Sequence, residues 1–134
     1  MSQAAIKSAL ETALNGMTPA LSTAWENVAF TPPVSTAPYQ RAFVLFATPE
    51  NAVIGNEWME RGLFQVTLCY PLQSGDAAAR ARVALLRATF YRGLTLTSGG
   101  TRVIIERTPD AGGGTADGDR WVVVVRIRWF SQGD

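Results

Sequence analysis

The sequence predicts an α+β domain, with two helices packed on one face of a mainly antiparallel or mixed sheet of five to six strands, in the order α-β-β-β-α-β-β-β. Three observations carry this reading. Apolar residues recur at helical spacing in only two alanine-rich segments; several other segments alternate with a period of two; and glycine or proline clusters separate them. With 134 residues, 47% of them hydrophobic, the chain can bury one core and has no room for a second, so residues 1–134 read as a single domain.

Ile6, Leu10, Leu14 and Met17 repeat at helical spacing, Ser2 is placed to cap the segment, and Gly16 with Pro19 stops it, which predicts a helix over 3–15. Trp25 to Phe30 reads as a short strand ended by Pro32-Pro33, because adjacent prolines cannot continue a ladder. From Tyr39 to Ala47 the chain alternates, with Tyr39, Arg41, Phe43 and Leu45 on one face and Gln40, Ala42, Val44 and Phe46 on the other. A second alternating strand, 62–70, turns Phe64, Val66, Leu68 and Tyr70 inward, and the two are expected to form an antiparallel hairpin. About a dozen residues, TPENAVIGNEWME, connect them, longer than a hairpin needs and of the length that often serves function.

Pro71 and Gly75 close that strand. Ser74 or Asp76 can then cap a helix running from Ala77 to about Tyr91, with Val83, Leu86 and Phe90 along its buried stripe and Gly93 beyond its end. A hairpin follows, with strands at 94–97 and 102–108 around Ser98-Gly99-Gly100. Residues 109–119, PDAGGGTADGD, are too glycine-rich to prefer one conformation and are expected to be mobile unless a partner orders them. The last strand, Arg120 to Phe130, is apolar on both faces in its first half and is expected to be central.

Composition excludes more than it assigns. The sequence has no histidine, so no side chain with an unperturbed titration near neutrality is present to act as a general base or preferred zinc ligand. Ser74 and Ser98 therefore have no histidine to activate them, and Lys7 is the sole lysine. Cys69 is the only cysteine, which suits a reducing cytosol, and neither a signal peptide nor a membrane-spanning apolar stretch is expected. A net charge of +1 gives no overall pull toward a polyanion. Eleven of the twelve cations are arginines, which favours ion pairing at buried or subunit surfaces; coding bias would give the same count.

Gly112, Gly113 and Gly114 resemble a phosphate loop only in composition, because the helix that should follow is replaced by a strand. Asp110, Asp117 and Asp119 lack the spacing and terminal glutamate of a calcium loop, and are read as a solvated turn. Glu57 and Glu60 lie three apart in an expected surface loop, with nothing to place them in a pocket. No catalytic residue, cofactor or metal site is assigned.

Two surfaces remain as candidates. Trp58, beside Val53, Ile54 and Met59 and followed by Arg61, makes the long connection apolar enough to bury against another subunit or to fold back on its own domain. Trp121 and Trp129 share the parity of Val123, Val125 and Ile127 and belong to the core, whereas Arg126 and Arg128 lie opposite, where Glu106, another neighbouring acid or a neighbouring subunit would pair them.

The segments WENVAFTPP at 25–33, PYQRAFVLFA at 38–47, ERGLFQVTLCYP at 60–71 and DGDRWVVVVRI at 117–127, in this order and spacing, resemble the phage tail terminator-like family over nearly the whole chain. The resemblance implies a non-enzymatic, hexameric ring that sits on the completed tail tube, ends its polymerisation and offers a surface to a head-completion or connector protein. DNA would pass through its lumen without specific binding, and assembly would take place in the bacterial host cytoplasm before the protein joins the virion tail. Another neck or head-completion connector would share this architecture; a small-ligand-binding domain would instead require a deep pocket. The family supplies no catalytic residues. The residues themselves suggest that the connection around Trp58 reaches a neighbouring subunit and that the Asp110, Gly112, Gly113, Gly114, Asp117 and Asp119 segment faces the tube or lumen, where carboxylates would repel DNA phosphates.

Overall fold

The computed structural model describes residues 2–51 and 58–132. Its elements are α1 (Gln3–Asn15), β1 (Ser22–Ala24), β2 (Tyr39–Phe46), β3 (Met59–Pro71), α2 (Ala77–Thr89), β4 (Thr95–Ser98), β5 (Thr101–Ile105), β6 (Asp110–Ala111), β7 (Thr115–Asp117) and β8 (Arg120–Gln132). One mixed sheet runs in the order β1-β2-β3-β8-β5-β4, with β6 and β7 also paired to β8. Among the described strands, only β1 against β2 is parallel.

Thirteen consecutive residue pairs join β3 to β8, from Met59↔Gln132 to Pro71↔Arg120. This long register fixes which side chains face the helices. Phe64, Val66 and Leu68 of β3, Val123, Val125, Ile127 and Trp129 of β8, Ala42 and Val44 of β2, and Val103 and Ile105 of β5 are buried on one face. Ile6, Leu10 and Leu14 of α1, together with Ala79, Val83 and Leu86 of α2, join them in a single core. Phe90, just past α2, meets Phe64 edge-on at 5.9 Å. Ser2 caps α1 by accepting from the Ala5 amide at 3.1 Å, as its position in the sequence suggested.

Trp129 is the largest fully buried side chain, and Gly62 makes room for it. A Cβ at Gly62 would lie 2.7 Å from the indole and 2.0 Å from the Leu45 carbonyl oxygen. Phe46 closes the other side, edge-on at 5.5 Å. The glycine in RGLFQV is thus required by close approach.

The expected strand at Trp25–Phe30 is corrected: the chain turns there, the Val28 amide donates to the Trp25 carbonyl, and Asn27 adopts a positive φ of 55°. The short strand lies upstream at Ser22–Ala24, and Trp25 packs against the core. The β2–β3 connection has the expected length of about a dozen residues, β3 starts earlier than expected, at Met59, and Glu50 and Met59 exchange backbone hydrogen bonds of 2.9 and 2.7 Å in an isolated bridge. Glu60 therefore belongs to β3 and is buried, not solvated in a loop; Glu57 lies outside the described residues.

Residues 109–119 also depart from expectation. They fold onto β8 as β6 and β7, with Gly112 donating its amide to the Val124 carbonyl. The extended apolar edge of β8 supplies the hydrogen-bond partners that the glycines lack locally. Gly114 sits against the Trp121 ring, where a Cβ would come within 2.1 Å.

Gly62→Ala is expected to destabilise the domain by about 2–3 kcal/mol through overpacking against Trp129 and the β2 backbone. Chemical denaturation measures it, and a change under about 0.5 kcal/mol, typical of an ordinary surface substitution, would show that the close approach is not maintained in solution.

Candidate assembly surface

The side of the sheet away from the helices has two halves. Over one half, the segment from Phe30 to Ala37 forms a roof: Phe30 stacks on Tyr39 at 5.4 Å, and Cys69 below is 1% exposed. Arg120 is the fastener. Its guanidinium lies 4.9 Å from the Tyr39 ring centroid and donates to the carbonyls of Pro33 at 2.8 Å, Val34 at 2.9 Å and Ala37. A planar five-donor group can bind several carbonyls of one turn while its face covers an aromatic ring, which lysine cannot reproduce.

The other half is uncovered. Three cross-strand rows run over it: Arg41–Thr67–Val124, Phe43–Gln65–Arg126–Asp110 and Leu45–Leu63–Arg128. Phe43, Leu63, Val124 and Phe130 are half-buried and Leu45 is 47% exposed, while Arg41, Arg126 and Arg128 are exposed. The expected pairing of Arg126 or Arg128 with Glu106 is corrected. Glu106 instead accepts from Arg61 at 2.8 Å, and Arg61 also lies 3.5 Å from Glu50. The amide of Glu106 bonds to the Arg128 carbonyl, so the backbone places its carboxylate at this corner of the sheet, where Arg61 of β3 reaches it.

At the edge of β2, Glu26 accepts from the Val44 amide at 2.8 Å and from Lys7 at 3.2 Å. That carboxylate satisfies an edge N–H that would otherwise invite another strand. At the far end of the sheet, Asp76 accepts from Trp121 Nε1 and from Arg80 Nε, each at 2.7 Å. Arg80 also donates to the Gly112 carbonyl at 2.9 Å, tying α2 to the β6–β7 segment. Hydrogen bonds from Arg80 and then Trp121 hold the Asp76 carboxyl below the usual aspartate range. An open groove of about 400 Å³ beside it, lined by Leu72, Gln73, Gly75, Asp76 and Trp121, offers one carboxylate that is already engaged. Buried Arg82 donates to the Pro19 carbonyl, and desolvation lowers its pKa.

Among the residues singled out from sequence, Trp58 stands 39% exposed at the hairpin end and Met59 begins β3; Val53 and Ile54 lie outside the described residues. Arg61, Arg126 and Arg128 share the uncovered face, with Asp110 at its rim. Asp117 and Asp119 flank Gly118 in the β7–β8 turn, and Gly113 lies in the stretch between β6 and β7. Sequence reasoning missed Arg120 and Asp76 as organising groups. Arg120 had one signal, a charged residue opening an otherwise apolar strand.

Among the described residues, no three potential metal ligands come together. The organised polar groups hold segments of the chain to one another, and the uncovered surface is a mixture of apolar side chains and arginine. That combination suits a small assembly domain. The chain belongs to the phage tail terminator protein family, whose model matches residues 5–129. A solved structure with 32% sequence identity superimposes with a TM-score of 0.82, over 100% of this chain and 98% of its own. No curated protein matches. The protein is accordingly a phage tail component of a structural family, not of a family of enzymes.

Arg120→Lys is expected to release the Pro33–Ala37 roof while the core stays folded. Limited proteolysis checks this: cleavage within 30–38 should rise at least severalfold, and an unchanged digestion pattern would contradict the fastening role. For Asp76, whose folded pKa is depressed, the carboxylate stabilises the fold above the ordinary aspartate value of about 3.9 and loses that effect as pH falls through the lower folded value. Asp76→Asn should therefore lower the denaturation midpoint at pH 6–7, with the difference shrinking below about pH 4. A difference independent of pH would mean the charge is not involved.

Proposed function

We propose that this protein forms a closed ring on the head-proximal end of a phage tail tube, ends polymerisation of the tube and presents the next surface for joining the head. Family membership over residues 5–129 carries the reading. The hexameric count comes from the resemblance noted in the sequence. Assembly would occur in the host cytoplasm, with the finished protein in the virion tail and the genome passing through the ring.

A ring needs a heterologous contact, one patch of each subunit against a different patch of the next. The hairpin end formed by β2 and β3 supplies one such patch. Trp58 is a large, partly exposed aromatic of the kind enriched at interface centres, and Met59 adjoins it. Arg61, held by Glu50 and Glu106, ties this hairpin end to the sheet, so the contact would be presented on an ordered base. The Asp117–Gly118–Asp119 turn and Asp110, with Gly112, Gly113 and Gly114, would face the tube or lumen, where carboxylates discourage DNA from sticking.

Mass measurement across concentration, alone and with tail-tube protein, tests the reading. Ring-sized species on tubes are expected, including where the free protein is monomeric; strict monomers that never associate with tubes would overturn it. Trp58→Ala is expected to reduce ring formation tenfold or more while shifting the monomer's thermal midpoint by no more than a few degrees. Unfolding of the monomer would instead make Trp58 part of its own core.

A further inference from the structure

The uncovered half of the sheet has an unbalanced charge. Arg41, Arg126 and Arg128 are exposed on it, and none makes an ion pair among the described residues. Between them, Phe43, Leu45, Leu63 and Phe130 keep part of their apolar surface in water. Arginine and aromatic residues together, with no lysine, form the mixture typical of a protein-contact surface.

A second copy of this chain is a poor match for that mixed face. Of the described acids, Glu11, Glu26, Glu50, Asp76, Glu106 and Asp119 already meet cations, and Glu60 is buried. The remaining two, Asp110 and Asp117, lie on β6 and β7, beside β8 at the border of the same sheet. Asp110 stands opposite Arg126 in the ladder and does not reach ion-pair distance. Among the described residues, Asp117 and Asp119 flank Gly118 in the β7–β8 turn as an exposed acidic pair with no large apolar side chain between them, so in a neighbouring copy they would answer the charge of this face but leave Phe43, Leu45 and Leu63 without an apolar partner. Nucleic acid fits less well than protein, because a phosphate backbone would pair with the guanidinium groups and leave Leu45 and Phe43 without an apolar partner.

We infer that this face docks an acidic, partly apolar surface of a different protein. Carboxylates of that partner would take the planar forks of Arg126 and Arg128, while its aliphatic or aromatic side chains would cover Leu45, Leu63 and Phe43. Arg126 and Arg128, which the sequence alone placed against either Glu106 or another copy, thus serve recognition of a foreign partner. The inference deepens the assembly reading, and rests on it only for the partner's place in a tail.

A photo-crosslinking amino acid at Leu45, introduced in the full-length protein within cells producing the phage particles, tests it. The expected product is an adduct to an acidic peptide of another protein, identified by mass spectrometry and reduced at least tenfold by Arg126→Glu with Arg128→Glu. Arg126→Gln with Arg128→Gln, expected to give a smaller reduction, checks that charge is the cause, and circular dichroism of each variant checks the fold. An adduct to a second copy, an adduct to DNA, no adduct, or an adduct unaffected by the charge reversal would each overturn the inference. If the acidic partner proves not to be a tail or head protein, the tail-capping reading fails while the docking inference stands.

Discussion

Everything else in this molecule depends on the register between β3 and β8. Thirteen paired residues hold the two central strands together, and a shift of one position would move Ile127 and Trp129 out of the core and Arg126 and Arg128 into it. Burying those two guanidinium groups without partners would cost several kcal/mol each, so the alternation specifies one register strongly. Gly62 strengthens that choice, since only a residue without a Cβ fits between the Trp129 ring and the β2 backbone. The same pairing that fills the core thereby arranges the outward rows of apolar and arginine side chains.

From that spine the domain divides its polar groups between two tasks. Some hold the chain to itself: Arg120 fastens the Pro33–Ala37 roof, Asp76 joins α2 to Trp121, and Arg61 gathers Glu50 and Glu106. Others stay outward on the uncovered half of the sheet, where Arg41, Arg126 and Arg128 stand among exposed apolar atoms. The exposed part of this surface adds little to the stability of a monomer. It is consistent with a tail component that meets other proteins.

The parts of the fold legible in the sequence were those set by local pattern. Helical spacing located α1 and α2, Ser2 marked a cap, and the alternation of 121–130 gave β8 its inward and outward faces. What escaped depended on distant partners. Arg120 meets carbonyls more than eighty positions earlier, a relation that no window along the chain contains. Residues 109–119 looked mobile because glycine has no strong preference of its own; the edge of β8, the Trp121 ring and Arg80 order them from outside. Trp25–Phe30 was misread because its apolar content suggested a strand, whereas the turn at Asn27 and the Glu26 bond to the β2 edge decide the path. At the candidate surface, parity correctly put Arg126 and Arg128 on one face, but which cation Glu106 would choose followed from backbone pairing across the sheet.

The proposed role, ending tube growth by capping, would be carried by assembly surfaces of the kind described. Its most direct test is to follow tube length by electron microscopy while tail-tube subunits polymerise, adding the protein partway through. Elongation is predicted to stop at once, and fresh subunits should not restart it at the capped end. Tubes that continue to lengthen at the original rate, with the protein present in excess, would contradict the account.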